Sequence, residues 1–168
     1  LMAEERIPDV PVFLDSPMAV SAMEIYCKHM REHRLDGPTC KRTCNVARYV
    51  RSVDESKELN LRKDPRIVLS ASGMLTGGRV LHHLKHIAPD RNSTILFIGF
   101  QAGGTRGAQL LGGAKSVKVH GGQVKIRAEV TCIDGLSAHA DYREILAWLG
   151  GFTFVQAKYR AHAGFLAE

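Results

Sequence analysis

Nothing in this 168-residue sequence is apolar for long enough to cross a bilayer, and the opening LMAEERIPDVPVFLD carries no export signal. Those two absences lead to the expectation of a cytoplasmic protein without a membrane anchor. Cysteine is sparse: Cys27, Cys40, Cys44 and Cys132 are too few for a disulfide-built scaffold, and without export free thiols are the expected state. Cys40 and Cys44 have no second cysteine or histidine pair at finger spacing, which argues against a structural zinc site there. Low-complexity tracts and long-period repeats are also missing, so disordered and solenoid classes fall away. What is left, 45% hydrophobic and 24% charged residues, suits an ordinary globular protein with one substantial core.

Acid is scarcer than base, with 17 acidic residues against 23 basic ones and a formal net charge of +6. Such a balance favours a polyanionic partner, because neutralising phosphates releases condensed counterions. The excess is concentrated in Lys28, Arg31, Arg34, Lys41, Arg42, Arg48 and Arg51. A solvated basic face accounts for the charge equally well.

Apolar runs alternate with helical patterns, which predicts an α/β fold with a largely parallel sheet covered by helices. The first strand is expected over residues 10–16 and a helix over 17–34, where Ala19, Ala22, Met23, Tyr26 and Met30 recur at three- and four-residue spacing. Gly37-Pro38 closes that unit. After a basic loop, a strand over 45–51 leads into Ser52-Val53-Asp54-Glu55, a capping-box pattern that opens a short helix. Core strands at 66–72 and 93–99 each run into a glycine-rich turn and then a helix. SVKVHGGQVKIRAEVTCI reads as two strands joined at Gly121-Gly122, which marks a boundary near residue 114. The last helix starts at Asp141, with Glu144 completing its cap and Ile145, Leu146 and Leu149 facing inward.

Ligands of parallel sheets sit at such carboxyl ends. Glycines let the backbone approach an anion, and Ser72, Thr105, Arg79 and Arg106 are candidate donors; the alternative is that the glycines merely make tight turns. Neither turn is a P-loop or a G-x-G-x-x-G fingerprint, which argues against a nucleotide cofactor. His82 and His86 stand one helical turn apart but without a carboxylate, and read as solvent-facing, helix-packing or RNA-facing more readily than as metal ligands. His139, in Gly135-Leu136-Ser137-Ala138-His139-Ala140-Asp141, lies at a strand-to-helix junction among small neighbours. A cleft can form there, and Asp141 is placed to orient the imidazole as well as to cap the helix.

LDSPMA, SASGMLTGGRVLHHLKH, GFQAGGTRG and GLSAHAD, in this order and spacing, resemble the metallo-β-lactamase-fold ribonucleases of the β-CASP group, which process messenger RNA ends. The resemblance implies a Rossmann-like β-CASP domain over residues 1–113 and a partial return to the metallo-β-lactamase αββα fold over 114–168. It implies RNA, single-stranded, in the cleft between them. The phosphate contacts would come from Ser16, Ser72, Gly73, Met74 and Arg79 on the first side. Gln101, Gly104, Thr105, Arg106 and Ser137 would complete them. His139 becomes the signature histidine that binds the scissile phosphate or protonates the leaving oxygen, with Asp141 beside it.

Two zinc ions are implied as cofactors, but the H-x-H-x-D-H motif that holds them is not in this sequence, and His162 is the one candidate ligand. The expectation is therefore a C-terminal portion of a zinc-dependent ribonuclease, exonuclease or endonuclease, lacking its N-terminal metallo-β-lactamase domain and inactive alone. A homodimer is among its implied partners, and a membrane is not. The alternative is a non-catalytic interaction scaffold of the same family.

Overall fold

The computed structural model describes residues 5–136 and 139–152, and the chain divides into two units after Asp134. In the first unit three short strands, β1 (Val12–Leu14), β2 (Arg48–Tyr49) and β3 (Ile67–Leu69), form a parallel sheet in the order β2-β1-β3. All three residues of β1 are buried, as its central position requires. Helices α1 (Pro17–Lys28) and α2 (Gly37–Asn45) connect β1 to β2, and α3 (Val53–Leu61) connects β2 to β3. Ser16 caps α1 by accepting from the Ala19 N–H, and Pro17 takes the first turn, where its missing N–H costs nothing.

Two local expectations change here. The helix predicted to reach residue 34 stops at Lys28 and is followed by a 3-10 turn, Met30–Glu32. His33 is the reason. Its ring stacks on Tyr26 at 3.7 Å and its Nε2 lies 2.8 Å from the Tyr26 carbonyl, the acceptor that a further helical turn would use. The stretch expected as a basic loop is instead α2, started by the Asp36 carboxylate, which accepts from the Thr39 N–H at 2.7 Å. Folding it as a helix brings Cys44 to Cys27, and the two form a disulfide across a Cα separation of 5.9 Å. Only Cys40 and Cys132 are free thiols. The expected capping box forms: Ser52 and Glu55 each hold the other's backbone N–H at the start of α3.

The remainder of this unit is built on β4 (Thr94–Ile98) and β7 (Glu129–Ile133), parallel over five residue pairs. Helices α4 (Val80–Ile87) and α5 (Arg106–Leu111) flank β4 in sequence. Strands β5 (Ser116–Val119) and β6 (Gly122–Lys125) make an antiparallel hairpin. Its turn is His120-Gly121, with φ of 46° and 82°, one residue earlier than expected. Positive φ at both positions is what a type I′ turn demands. The second predicted strand breaks after Lys125, because the Arg127 and Ala128 N–H groups both donate to the Ala88 carbonyl at the end of α4 (2.7 and 3.0 Å). The chain then re-enters as β7. Leu81, Leu84, Phe97 and Leu110 share one core with Val117, Val119 and Val124 of the hairpin, so packing is continuous across residue 114. Parallel strands joined through helices confirm the α/β class.

The second unit contributes α6 (Tyr142–Gly150), with the predicted capping box between Asp141 and Glu144. None of its residues is buried: Ile145 and Leu146 are 47% and 45% exposed, and Trp148 is 67% exposed. Of the inward-facing stripe read from the sequence, Leu149 is half-buried, and Ile145 and Leu146 are exposed among the described residues. No helix among those residues is long and apolar enough to cross a membrane.

Candidate nucleic-acid interface at the strand ends

Immediately after β1 the chain places a carboxylate in the interior. Asp15 is 0% exposed, and its backbone N–H continues the sheet by donating to the Leu69 carbonyl at 2.8 Å. Its Oδ2 accepts from the Ser56 hydroxyl of α3 at 2.5 Å and faces Nε2 of His83 in α4 at 2.7 Å. Its Oδ1 accepts from Nη1 of Arg79 at 2.7 Å. The same guanidinium reaches the carbonyls of Val50 and Arg51 after β2, at 3.3 and 3.4 Å. Ser70, after β3, donates its hydroxyl to the Asp15 carbonyl at 2.8 Å. His83 Nδ1 is 2.7 Å from the Asn60 carboxamide. One buried anion thus ties the loops after three strands to two helices, which a low-dielectric interior tolerates because both carboxylate oxygens have donors.

Burial pushes the Asp15 carboxyl upward, but the Ser56, Arg79 and His83 donors outweigh it and hold the group below its ordinary value. Burial likewise pushes His83 below its ordinary value, against the upward pull of Asp15. At neutral pH the pair is therefore carboxylate and neutral imidazole. Both shifts have the same sign for stability: a depressed value stabilises above the unfolded-state pKa and is lost as pH falls through the folded one. Stability should decline as pH drops below about 6.5 through His83, and decline again below about 4 through Asp15. Urea unfolding midpoints across pH 3–7 check this, and His83→Gln should remove the first decline.

Ser16, Ser72 to Met74, Arg79, Gln101 and Gly104 to Arg106, singled out from the sequence, all lie in loops or first helical turns that follow strands, and most are engaged by the protein itself. Arg79 belongs to the Asp15 network. Ser16 caps α1, and Thr105 caps α5 while donating to the Ala102 carbonyl at 2.6 Å. Arg106 donates Nε to the Lys118 carbonyl (2.6 Å) and Nη1 to the Leu75 carbonyl (2.9 Å), linking the two glycine-rich loops and the hairpin. The Met74 carbonyl accepts from Gly107 N–H at 3.1 Å. Ser72 shares a hydrogen bond with Thr76 at 2.9 Å, and Gly73 and Gly104 face open space. Gln101 donates to the Gly99 carbonyl at 3.4 Å and lays its carboxamide against Gly107, in the space that a side chain there would occupy.

Between these loops lies an open cleft of about 320 Å³ lined by Thr76, Gly104, Thr105, Arg106, Gln109 and Lys118. Two cations and several hydroxyl and amide groups give it the chemistry of a phosphate or polar-backbone site. The turn that carries Thr76 contains Gly78, whose φ is +78° and whose Cα would carry a Cβ 2.8 Å from the Ala71 carbonyl oxygen. Gly78→Ala should cost about 1–3 kcal/mol and lower the melting temperature, read by thermal unfolding.

His139 and Asp141 lie in the second unit. His139 is exposed, and Asp141 uses Oδ1 to cap α6, accepting from the Arg143 and Glu144 N–H groups at 2.8 and 2.9 Å. Ser137 and His162 fall outside the described residues. His82 and His86 are exposed, and the His82 ring lies 4.6 Å from that of His120. Among the described residues no group of three or more His, Cys, Asp or Glu could hold a metal ion, so these residues do not make a zinc site.

Residues 1–110 match the family model described as the Beta-Casp domain. The chain belongs to the Beta-Casp family. Residues 123–153 match a second model, the Zn-dependent metallo-hydrolase RNA specificity domain, so the two follow one another along this Beta-Casp chain. It is 38% identical over 153 residues to "Ribonuclease TTHA0252" of Thermus thermophilus, covering 87% of this chain and 35% of the relative. It is 32% identical to "Transcription termination factor FttA" of Methanocaldococcus jannaschii, covering 86% of this chain and 25% of that protein. An "RNase J-like protein" of the same organism is also 32% identical, with 86% and 33% covered. The chain thus spans a quarter to a third of the length of these relatives.

Proposed function

We propose that this chain is the RNA-holding portion of a zinc-dependent ribonuclease that hydrolyses RNA phosphodiester bonds. The observation that carries the reading is the cationic cleft of Thr76, Gly104, Arg106 and Lys118 on a Beta-Casp domain. Lys118 supplies mobile positive charge to a phosphate, while Arg106 and Thr105 fix the loops whose glycines admit the sugar-phosphate backbone. The Asp15 network keeps those loops in register. His139 acts at the cleavage site, binding the scissile phosphate or protonating the leaving oxygen. The metal belongs to this reading through the matched hydrolase family, with ligands supplied from other parts of the protein. The isolated chain binds RNA and does not cleave it.

Affinity for single-stranded RNA, measured by fluorescence anisotropy as salt is raised, tests the reading. Log affinity should fall linearly with log salt, and Lys118→Gln should reduce the slope by about 0.7, the value for one single-strand phosphate contact. Binding that ignores salt would sink the clamp. Metal-dependent cleavage by the chain alone would refute its inactivity.

A further inference from the structure

Between Cys27 and Cys44 stand five cations, Lys28, Arg31, Arg34, Lys41 and Arg42, against two carboxylates, Glu32 and Asp36. All five cations are exposed. Both carboxylates are engaged locally: Glu32 lies 2.8 Å from His29 Nδ1, and Asp36 accepts from the Thr39 N–H to cap α2. Of the cations, Arg42 donates to the Thr39 hydroxyl at 3.0 Å and lies close enough to the capping carboxylate of Asp36 to help hold it ionised. The segment is also held in shape. The disulfide closes it at both ends, Tyr26 and His33 stack across the connection, and Cys40 anchors α2 as its fully buried residue. Excess charge on a braced scaffold loses less conformational entropy on binding a polyanion than the same charge on a free loop.

The position separates this surface from the cleft. Helix α1 begins at the carboxyl end of β1, and its 12 residues carry Lys28 about 18 Å further along the helix axis. We propose that the disulfide-closed segment from Cys27 to Cys44 is a second RNA-binding surface, which holds the phosphates of a strand outside the cleft. The inference rests on the RNA-holding function above and names a further site for the same ligand. A strand long enough to engage both surfaces gains affinity through the raised effective concentration of its second contact. Short RNA uses the cleft alone.

The test compares the chain with K28Q/R31Q/R34Q/K41Q/R42Q and with a control that removes equal charge elsewhere, K57Q/K63Q/R91Q/K115Q/K125Q. All are surface positions, and circular dichroism confirms that both variants fold. Anisotropy is read with single-stranded RNAs of about 6 and about 30 nucleotides, a range bracketing one and several binding-site lengths. The segment variant should bind the long RNA at least tenfold more weakly and lose about three units of salt slope, with the short RNA unchanged. The control should keep most of the long-RNA affinity. Equal loss in both variants overturns the assignment, since net charge alone then explains it. Unchanged long-RNA binding by the segment variant, with the wild type binding normally, overturns this inference and leaves the cleft standing. Absence of RNA binding by the wild type overturns both. Binding of the wild type to phosphatidylserine vesicles that the segment variant loses, without any effect on RNA, overturns it in favour of a lipid surface.

Discussion

Asp15→Ala should destabilise the chain by about 3–5 kcal/mol, the range for removing one partner of a buried ion pair. The loss matches that of a large core truncation, although few atoms are removed, because several groups lose their acceptor together. Arg79 Nη1, the Ser56 hydroxyl and His83 Nε2 all point at a carboxylate that is 0% exposed. Water cannot replace it without opening the junction of β1, α3 and α4. The loops after β1, β2 and β3 lose their common anchor, so the cleft should loosen as well. Denaturant unfolding gives the stability, and RNA affinity at a temperature where the variant is still folded gives the second effect. Asp15→Asn preserves the shape and one acceptor oxygen and should cost clearly less. Equal losses from both variants would mean that volume matters here and charge does not.

His139→Ala, made in the intact enzyme, should lower kcat by about 10²- to 10⁴-fold if the imidazole transfers a proton in the reaction. On the proposed reading, in which the cleft holds the strand, KM for RNA should move little. A role confined to holding the phosphate predicts a loss shared between kcat and KM. Asp141→Ala is the companion measurement: its carboxylate caps α6 through the Arg143 and Glu144 N–H groups, so the effect should fall largely on stability. Replacing it with Asn, which also caps well, should restore the helix. Turnover that survives His139→Ala unchanged would remove this residue from the chemistry.

Much of the fold was legible because its signals are local. Ser52 with Glu55 and Asp141 with Glu144 announce their helices within four residues, and both capping boxes form. The failures have equally specific causes. Gly37-Pro38 was read as a stop, yet proline is at home in a first helical turn, and Asp36 before it supplies the cap. His82 and His86 drew attention through their metal-like spacing, while His83 is the histidine that the structure uses. It lies on the buried stripe with Val80, Leu84 and Ile87, where a polar residue is itself a signal. Its partner is 68 residues away, a pairing that no local pattern carries. The same holds for the phosphate donors. Arg79, Thr105 and Arg106 are at the expected edge, but residue type does not reveal whether a guanidinium or hydroxyl faces a ligand or a neighbouring carbonyl. Lys118 and Thr76, which line the cleft, were missed because they lie on the hairpin and within the turn.

The pairing of β4 with β7 has a consequence for any attempt to isolate the first family domain by stopping the chain near residue 113. Thr94–Ile98 would lose all five of its strand partners, and Leu84, Phe97 and Leu110 would face water where the hairpin valines now lie. Such a fragment presents a naked strand edge beside an open apolar surface, the template on which chains stack into aggregates. A soluble truncation has to run on through Ile133, so the solubility of this domain is conferred by a segment whose sequence match belongs to its neighbour.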